Sequence, residues 1–144
     1  MHDVHAYFGR VEGYDVHAAH LQVKAHMEKD TQTLPIVNRI MEYVRENYAD
    51  PALQLTTFAE RNSISVGYLT KLFRQETGDT FVTYMTKYRL KQAAQLLGGT
   101  DLKIYEIAEK TGYNSQHYFC EIFKNMFGVT PTEYRKKGII RNEE

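Results

Sequence analysis

From residue 34 onward the apolar residues fall in short stripes at helical spacing, and nowhere alternate with period two for long enough to suggest a strand. Ile36, Val37, Ile40, Met41 and Val44 make the first stripe, with Pro35 near its start. Leu55, Phe58 and Ala59 make a second, which Asn62 and Ser63 interrupt. Ser65 can then cap a helix that carries Leu69, Leu72 and Phe73 on one face and stops at Gly78. Thr80 to Leu97 reads as one continuous helix through Phe81, Tyr84, Met85, Tyr88, Ala93, Leu96 and Leu97, with Gly98-Gly99 expected to end it. Beyond it, Thr100 or Asp101 is expected to cap a helix with Ile104, Ile107 and Ala108 inward. Gly112-Tyr113-Asn114 makes a turn, and Ser115 can cap a helix with Phe119, Ile122, Phe123 and Met126 inward, ended by Gly128. Thr130-Pro131 starts a last short helix, with proline in its favoured first-turn position. The pattern predicts an all-α chain of about seven helices.

These stripes repeat at a period of about 50 residues. Tyr68, Phe73, Gly78, Thr80 and Tyr84 reappear 50 positions later as Tyr118, Phe123, Gly128, Thr130 and Tyr134. Slightly upstream the offset is 49: Leu55 pairs with Ile104, Phe58 with Ile107, Ala59 with Ala108 and Glu60 with Glu109. The second copy therefore holds one extra residue between Ala108 and Tyr118, where a turn should lie. The organisation expected is a first subdomain over 34–97 that includes the long linker helix, a second over 98–137, and a tail over 138–144. Residues 1–33 carry no match to the repeat and read as a linker or the end of an upstream domain, with a plausible helix over about 15–30 on Val16, His20, Val23 and Met27.

Each copy is a helix-turn-helix unit, and that pattern points to DNA. The major groove admits one α-helix and presents a different donor and acceptor pattern for each base pair. The second helix of such a unit lies in the groove while the first crosses the backbone. A reading helix needs an apolar face for anchoring and an opposite face of polar side chains. The first copy offers Gly67, Thr70, Lys71 and Arg74 there, and the second Gln116, His117, Cys120, Glu121 and Lys124. Ser65, Lys87, Arg89 and Ser115 are expected to contact phosphates, as Arg74 and Lys124 can. Eighteen helical residues span roughly 27 Å, so two reading helices at the ends of such a rod can approach the roughly 34–36 Å between successive major-groove segments. One chain could then do what a dimer does, on a site that is not palindromic.

Charge gives this reading no help. Eighteen Lys and Arg balance eighteen Asp and Glu, and the first 33 residues are slightly acidic while the rest are slightly basic. A helical protein-interaction module is the competing reading, and the polar, small reading face argues against it, because a groove for a partner helix would be apolar. A single cysteine, Cys120, allows no internal disulfide and suits a reducing cytoplasm. The N-terminus has neither the basic start nor the apolar stretch of a secretion signal. No apolar run approaches the roughly 18 residues of a membrane span, so no membrane partner is expected. Five of the six histidines (His2, His5, His17, His20 and His26) lie in the first 33 residues, and a solvated tail is expected there rather than a metal site. No phosphate loop, Cys/His pair or pocketed carboxylate pair suggests an enzyme, and no cofactor is expected.

The run Tyr105-Glu106-Ile107-Ala108-Glu109-Lys110-Thr111-Gly112-Tyr113, followed by Tyr118-Phe119, Phe123-Lys124 and Gly128-Val129-Thr130-Pro131-Thr132-Glu133-Tyr134-Arg135, closely resembles the signature of the AraC/XylS DNA-binding domain. Residues 55–97 resemble its first half and 101–135 its second. The second half is most similar to regulators in which this domain follows a receiver, as in two-component systems. The resemblance implies two homeodomain-like subdomains and transcription control, most often activation. It implies double-stranded DNA as partner, RNA polymerase for an activator, and a homodimer through an upstream domain. It puts Gly67, Thr70 and Lys71 at base-reading positions of the first unit, and Gln116, His117 and Glu121 at those of the second. Glu121 departs from the basic or small residue of relatives: it can accept from cytosine N4 or pair with Lys124 at i, i+3.

Overall fold

The computed structural model describes residues 33–143, which leaves the expected helix over 15–30 and the five N-terminal histidines outside the described residues. Seven helices follow one another: α1 (Thr33–Asn47), α2 (Leu55–Arg61), α3 (Val66–Thr77), α4 (Phe81–Gly99), α5 (Ile104–Lys110), α6 (Gln116–Phe127) and α7 (Pro131–Glu143). No strand occurs among the described residues, so the all-α expectation holds. Two compact units result, one of residues 33–47 and 52–88, the other of 48–51 and 89 onward.

In the first unit the apolar stripes meet as their spacing requires. Val37, Ile40, Met41 and Val44 of α1 are closed off from solvent, together with Leu55, Phe58 and Ala59 of α2 and Leu69, Leu72 and Phe73 of α3. Phe73 takes the edges of Phe81 (centroids 6.1 Å apart) and Tyr84 (5.4 Å, rings at 80°), which locks the start of α4 onto α3.

The second unit repeats the device. Phe123 meets Tyr134 at 5.5 Å and 84°, a near copy of the Phe73–Tyr84 pair 50 residues earlier. Phe119, Phe123 and Phe127 run at i, i+4 steps down the inner face of α6 and are buried, with Ile107 and Ala108 of α5 and Leu90, Ala93, Ala94 and Leu97 of α4. Ile122 and Met126, expected inward, are only half-buried, because three phenyl rings on adjacent turns fill the core and leave those two on its flank.

The helix ends follow local chemistry in both units. Ser65 Oγ accepts from the Tyr68 N–H, and Ser115 Oγ from the Tyr118 N–H. Gly78 (φ 82°) and Gly128 (φ 79°) close α3 and α6 in the left-handed region, each donating its N–H to the carbonyl four residues back. The extra residue of the second copy lies in the turn: four residues separate α2 from α3, five separate α5 from α6.

Two boundaries differ from the expectation. α4 runs through Gly98 and Gly99 instead of ending before them. Thr100 explains this: its N–H (3.0 Å) and hydroxyl (2.6 Å) both donate to the Leu96 carbonyl, carrying the last turn across the glycines. Thr100 is thereby spent on the end of α4, and neither it nor Asp101 caps α5, whose N-cap is Lys103 with no side-chain bond. α7 starts at Pro131 as expected but is 13 residues long rather than short.

Candidate nucleic-acid interface

α3 and α6 are both 12 residues long, and each buries one side and exposes the other. In α3, Leu69, Leu72, Phe73, Glu76 and Thr77 are buried, and Gly67, Thr70, Lys71, Arg74 and Gln75 are exposed together on the opposite side. A shallow depression lined by Val66, Gly67, Thr70, Lys71, Arg74 and Gln75 runs along this side. The Thr70 hydroxyl donates to the Val66 carbonyl (2.8 Å), which leaves its oxygen as an acceptor. Gly67 has ordinary helical backbone, and an added Cβ would meet only Ser65 Oγ at 3.6 Å. Nothing in the fold requires glycine there, although it weakens a helix by about 1 kcal/mol against alanine.

In α6 the exposed positions are Gln116, His117, Tyr118, Glu121, Lys124 and Asn125. Ser65 and Ser115 are exposed at the two helix starts. Glu121 and Lys124 form no ion pair, whereas Lys87 and Asp79 meet at 3.1 Å. Lys124 instead acts electrostatically on Glu133, so the proposed i, i+3 pairing is corrected. Lys87, expected at a phosphate, has its ammonium committed to Asp79.

Arg89 is the clearest correction. It is 5% exposed and cannot reach a phosphate. Its Nε–H donates to the Tyr48 carbonyl (2.9 Å), its Nη2 to the Asp50 carbonyl (2.7 Å), and its guanidinium lies 5.5 Å from the centre of the Tyr113 ring. Burial lowers its pKa from the usual guanidinium range while Tyr113 and Asp50 oppose the shift. The charge is held by two carbonyl dipoles and a π-face in place of water. Gly112 packs against the same group with φ +94°, where an added Cβ would strike the Tyr48 carbonyl and come within 2.7 Å of Arg89 Nε. The turn before α6 is therefore moulded onto Arg89. In the first copy the equivalent left-handed residue is Ser63, at φ 54°.

A family model for a helix-turn-helix domain matches residues 58–137. Among solved structures, the chain is similar to the C-terminal domain of AraT, a response regulator from Geobacillus stearothermophilus. The two are 42% identical over 72% of this chain and 85% of that one, with a TM-score of 0.70. It is also similar to a transcriptional regulator of the AraC-type DNA-binding-domain proteins from Chromobacterium violaceum: 27% identity, 76% and 96% coverage, TM-score 0.68. Among curated relatives, the transcriptional activator RhaR of Mannheimia succiniciproducens is 36% identical over 85 residues, which is 59% of this chain and 31% of that protein. The chain belongs to the AraC family of helix-turn-helix DNA-binding domains. It spans less than half the length of the curated relatives first matched.

As an AraC-type domain it carries three features that sequence reasoning passed over. Tyr68 and Tyr118, a repeat pair to which the sequence assigned no contact, are 46% and 53% exposed beside the polar faces. Tyr113 is buried against Arg89, Tyr118 (6.1 Å) and Phe119 (5.6 Å), and burial, with the guanidinium opposing, pushes its phenol up to about 12. Thr130 and Glu133 form a reciprocal cap on α7. Cys120 was placed on the reading face but is only half-exposed, and burial raises its thiol. That is the reverse of the activation a redox sensor needs. No helix among the described residues is long and apolar enough to cross a membrane.

Proposed function

We propose that this AraC-type domain reads double-stranded DNA through α3 and α6, each in its own segment of major groove. The observation that carries the proposal is the two-sided build of both helices: an inner face packed on Leu69, Leu72 and Phe73 in one and Phe119, Phe123 and Phe127 in the other, and an outer face that exposes Gly67, Thr70, Lys71 and Arg74 in one and Gln116, His117, Glu121 and Lys124 in the other. Lys71 can donate to guanine, Gln116 can bond adenine, Glu121 can accept from cytosine, and Thr70, with its hydroxyl hydrogen turned to the Val66 carbonyl, can accept. Gly67 leaves room for a base edge or sugar to approach the helix backbone. Arg74, Lys124 and the two capping serines serve phosphates, and Cys120 lies at the edge of the second face. The work this reading gives the domain is binding.

The name of RhaR supports activation, and with it a contact to RNA polymerase in the cytoplasm. The likeness to a response-regulator C-terminal domain supports a receiver elsewhere in the whole protein, through which two copies pair. The test is selection of a random duplex library against the whole chain, followed by a salt titration on the recovered duplex. Enrichment of a motif and a steep linear fall of log affinity with log salt are expected, because Lys and Arg release counterions from phosphates. A library that stays random, or an affinity indifferent to salt, would make the chain a protein-interaction module instead.

A further inference from the structure

The two exposed tyrosines occupy the same place in both units. Each is the third residue of its helix, three positions after the capping serine that accepts its N–H. At about 100° per residue, Tyr68 sits between exposed Lys71 and buried Leu72, and Tyr118 between exposed Glu121 and half-buried Ile122. They border the reading faces without belonging to them. Their exposure is high for large aromatic side chains (46% and 53%), and neither hydroxyl has a hydrogen-bond partner among the described residues. Tyr118 is also steadied: its ring rests on Tyr113, which is held in turn under Arg89. No packing requirement of either unit explains an aromatic kept half in solvent at matching positions.

A helix lying in a major groove has bases beneath its centre and the two phosphate walls along its flanks. A side chain at the border of the reading face therefore meets a wall rather than a base edge. We propose that Tyr68 and Tyr118 each donate a phenolic hydrogen bond to a backbone phosphate and so fix the depth and register of their helices in the groove. The proposal rests on the DNA-binding reading above. Tyrosine suits the task because its hydroxyl sits at the end of a rigid ring with two torsions, and a neutral donor brings no phosphate-attracting charge of its own. It also bears on the chain's zero net charge, because part of the backbone anchoring is carried by uncharged groups.

The experiment uses the full chain and the duplex recovered by selection, with Tyr68→Phe and Tyr118→Phe removing one hydroxyl each. Each variant should bind about tenfold more weakly, the loss expected for a hydrogen bond to a charged acceptor. The factor should be the same on the selected duplex and on scrambled DNA, with the salt slope and helical content unchanged. A scan of single neutral methylphosphonates locates the contact: one substitution should weaken the wild type and leave the matching variant no weaker than it already is. Variants within about twofold of wild type, an altered base preference, or a methylphosphonate profile identical to wild type would each overturn the proposal. Because Lys71→Ala is measured beside them, the two failures separate. If Lys71→Ala weakens binding while both phenylalanine variants do nothing, only the phosphate assignment falls; if the wild type selects no duplex, the DNA reading falls and takes it along.

Discussion

Gly112 and Ser63 hold the same left-handed turn, and only one of them is suited to it. For an L-residue that region costs roughly 1–2 kcal/mol. Gly112 is held there with no room for a side chain, since a Cβ would run into the Tyr48 carbonyl and the Arg89 Nε. A backbone carbonyl pinned by a buried guanidinium cannot yield, so Gly112→Ala should destabilise the chain by about 3 kcal/mol or more. Ser63→Gly relieves the strain but adds freedom to the unfolded chain, and a net gain of roughly 0.5 kcal/mol is expected. Chemical denaturation of both variants checks this, and a Gly112→Ala protein as stable as wild type would show that the turn is not moulded on Arg89. The turn glycine was legible in the sequence because glycine announces positive φ; Ser63 gave no such signal. Arg89 was misread for a related reason. Two residues from Lys87 on the same helix, it looks like another surface cation, and its partners are backbone carbonyls 41 and 39 residues away that no local pattern reveals.

Helix ends were readable wherever the bond that makes them is short in sequence. Ser65, Ser115, Gly78 and Gly128 all satisfy groups three or four residues away, so their residue types suffice to place them. The boundary near residue 100 failed because Thr100 can serve either neighbouring helix, and the choice falls to α4 through Leu96. α7 shows what the repeat conceals. Thr80 and Thr130 are equivalent caps, but Thr80 bonds the hydroxyl of Thr83 (2.8 Å), whereas Thr130 donates to a Glu133 carboxylate oxygen (2.9 Å) and accepts the Glu133 N–H (3.1 Å). Those bonds, ahead of Lys124 and Lys137 nearby, hold the Glu133 carboxyl below its ordinary value of 4.5. A carboxyl depressed on folding contributes stability above its unfolded pKa and loses it as pH falls through the folded one. The start of α7 should therefore weaken below about pH 4.5, while the Thr80 cap of α4 does not titrate. Glu133→Gln keeps a capping amide but removes the proton, so the gap in stability between wild type and variant should close on acidification. Curves that stay parallel from neutral to acid pH would mean the cap makes no difference to folding.

At the scale of the whole molecule the two copies share the ring pair, the serine cap and the glycine stop that build a unit, and differ at the centre of their outward faces. The Phe–Tyr pair, the serine cap and the glycine stop repeat almost unchanged, whereas Gly67, Thr70 and Lys71 stand opposite His117, Cys120 and Glu121 fifty residues on. Packing constrains the first set and leaves the second free to differ, which is how a duplicated unit can serve two unlike stretches of DNA. Which side of each helix is exposed was legible because the buried stripe fixes it. The division of labour within the face was not, since Lys71, Arg74 and Lys124 are all simply exposed. Function must therefore separate them. Lys71→Ala should cost roughly 1–3 kcal/mol on the selected duplex and relax preference at one position. Gln116→Ala should do the same at a position belonging to a different segment of the site, and the two losses should add, because residues without shared partners act independently. Lys124→Ala should weaken every duplex alike and flatten the salt slope by about one phosphate. Selection repeated with each variant distinguishes these outcomes. If Lys71→Ala and Gln116→Ala erase preference at the same position, the two helices do not read separate segments. A palindromic motif would then also replace the asymmetric one expected of two different faces on one chain.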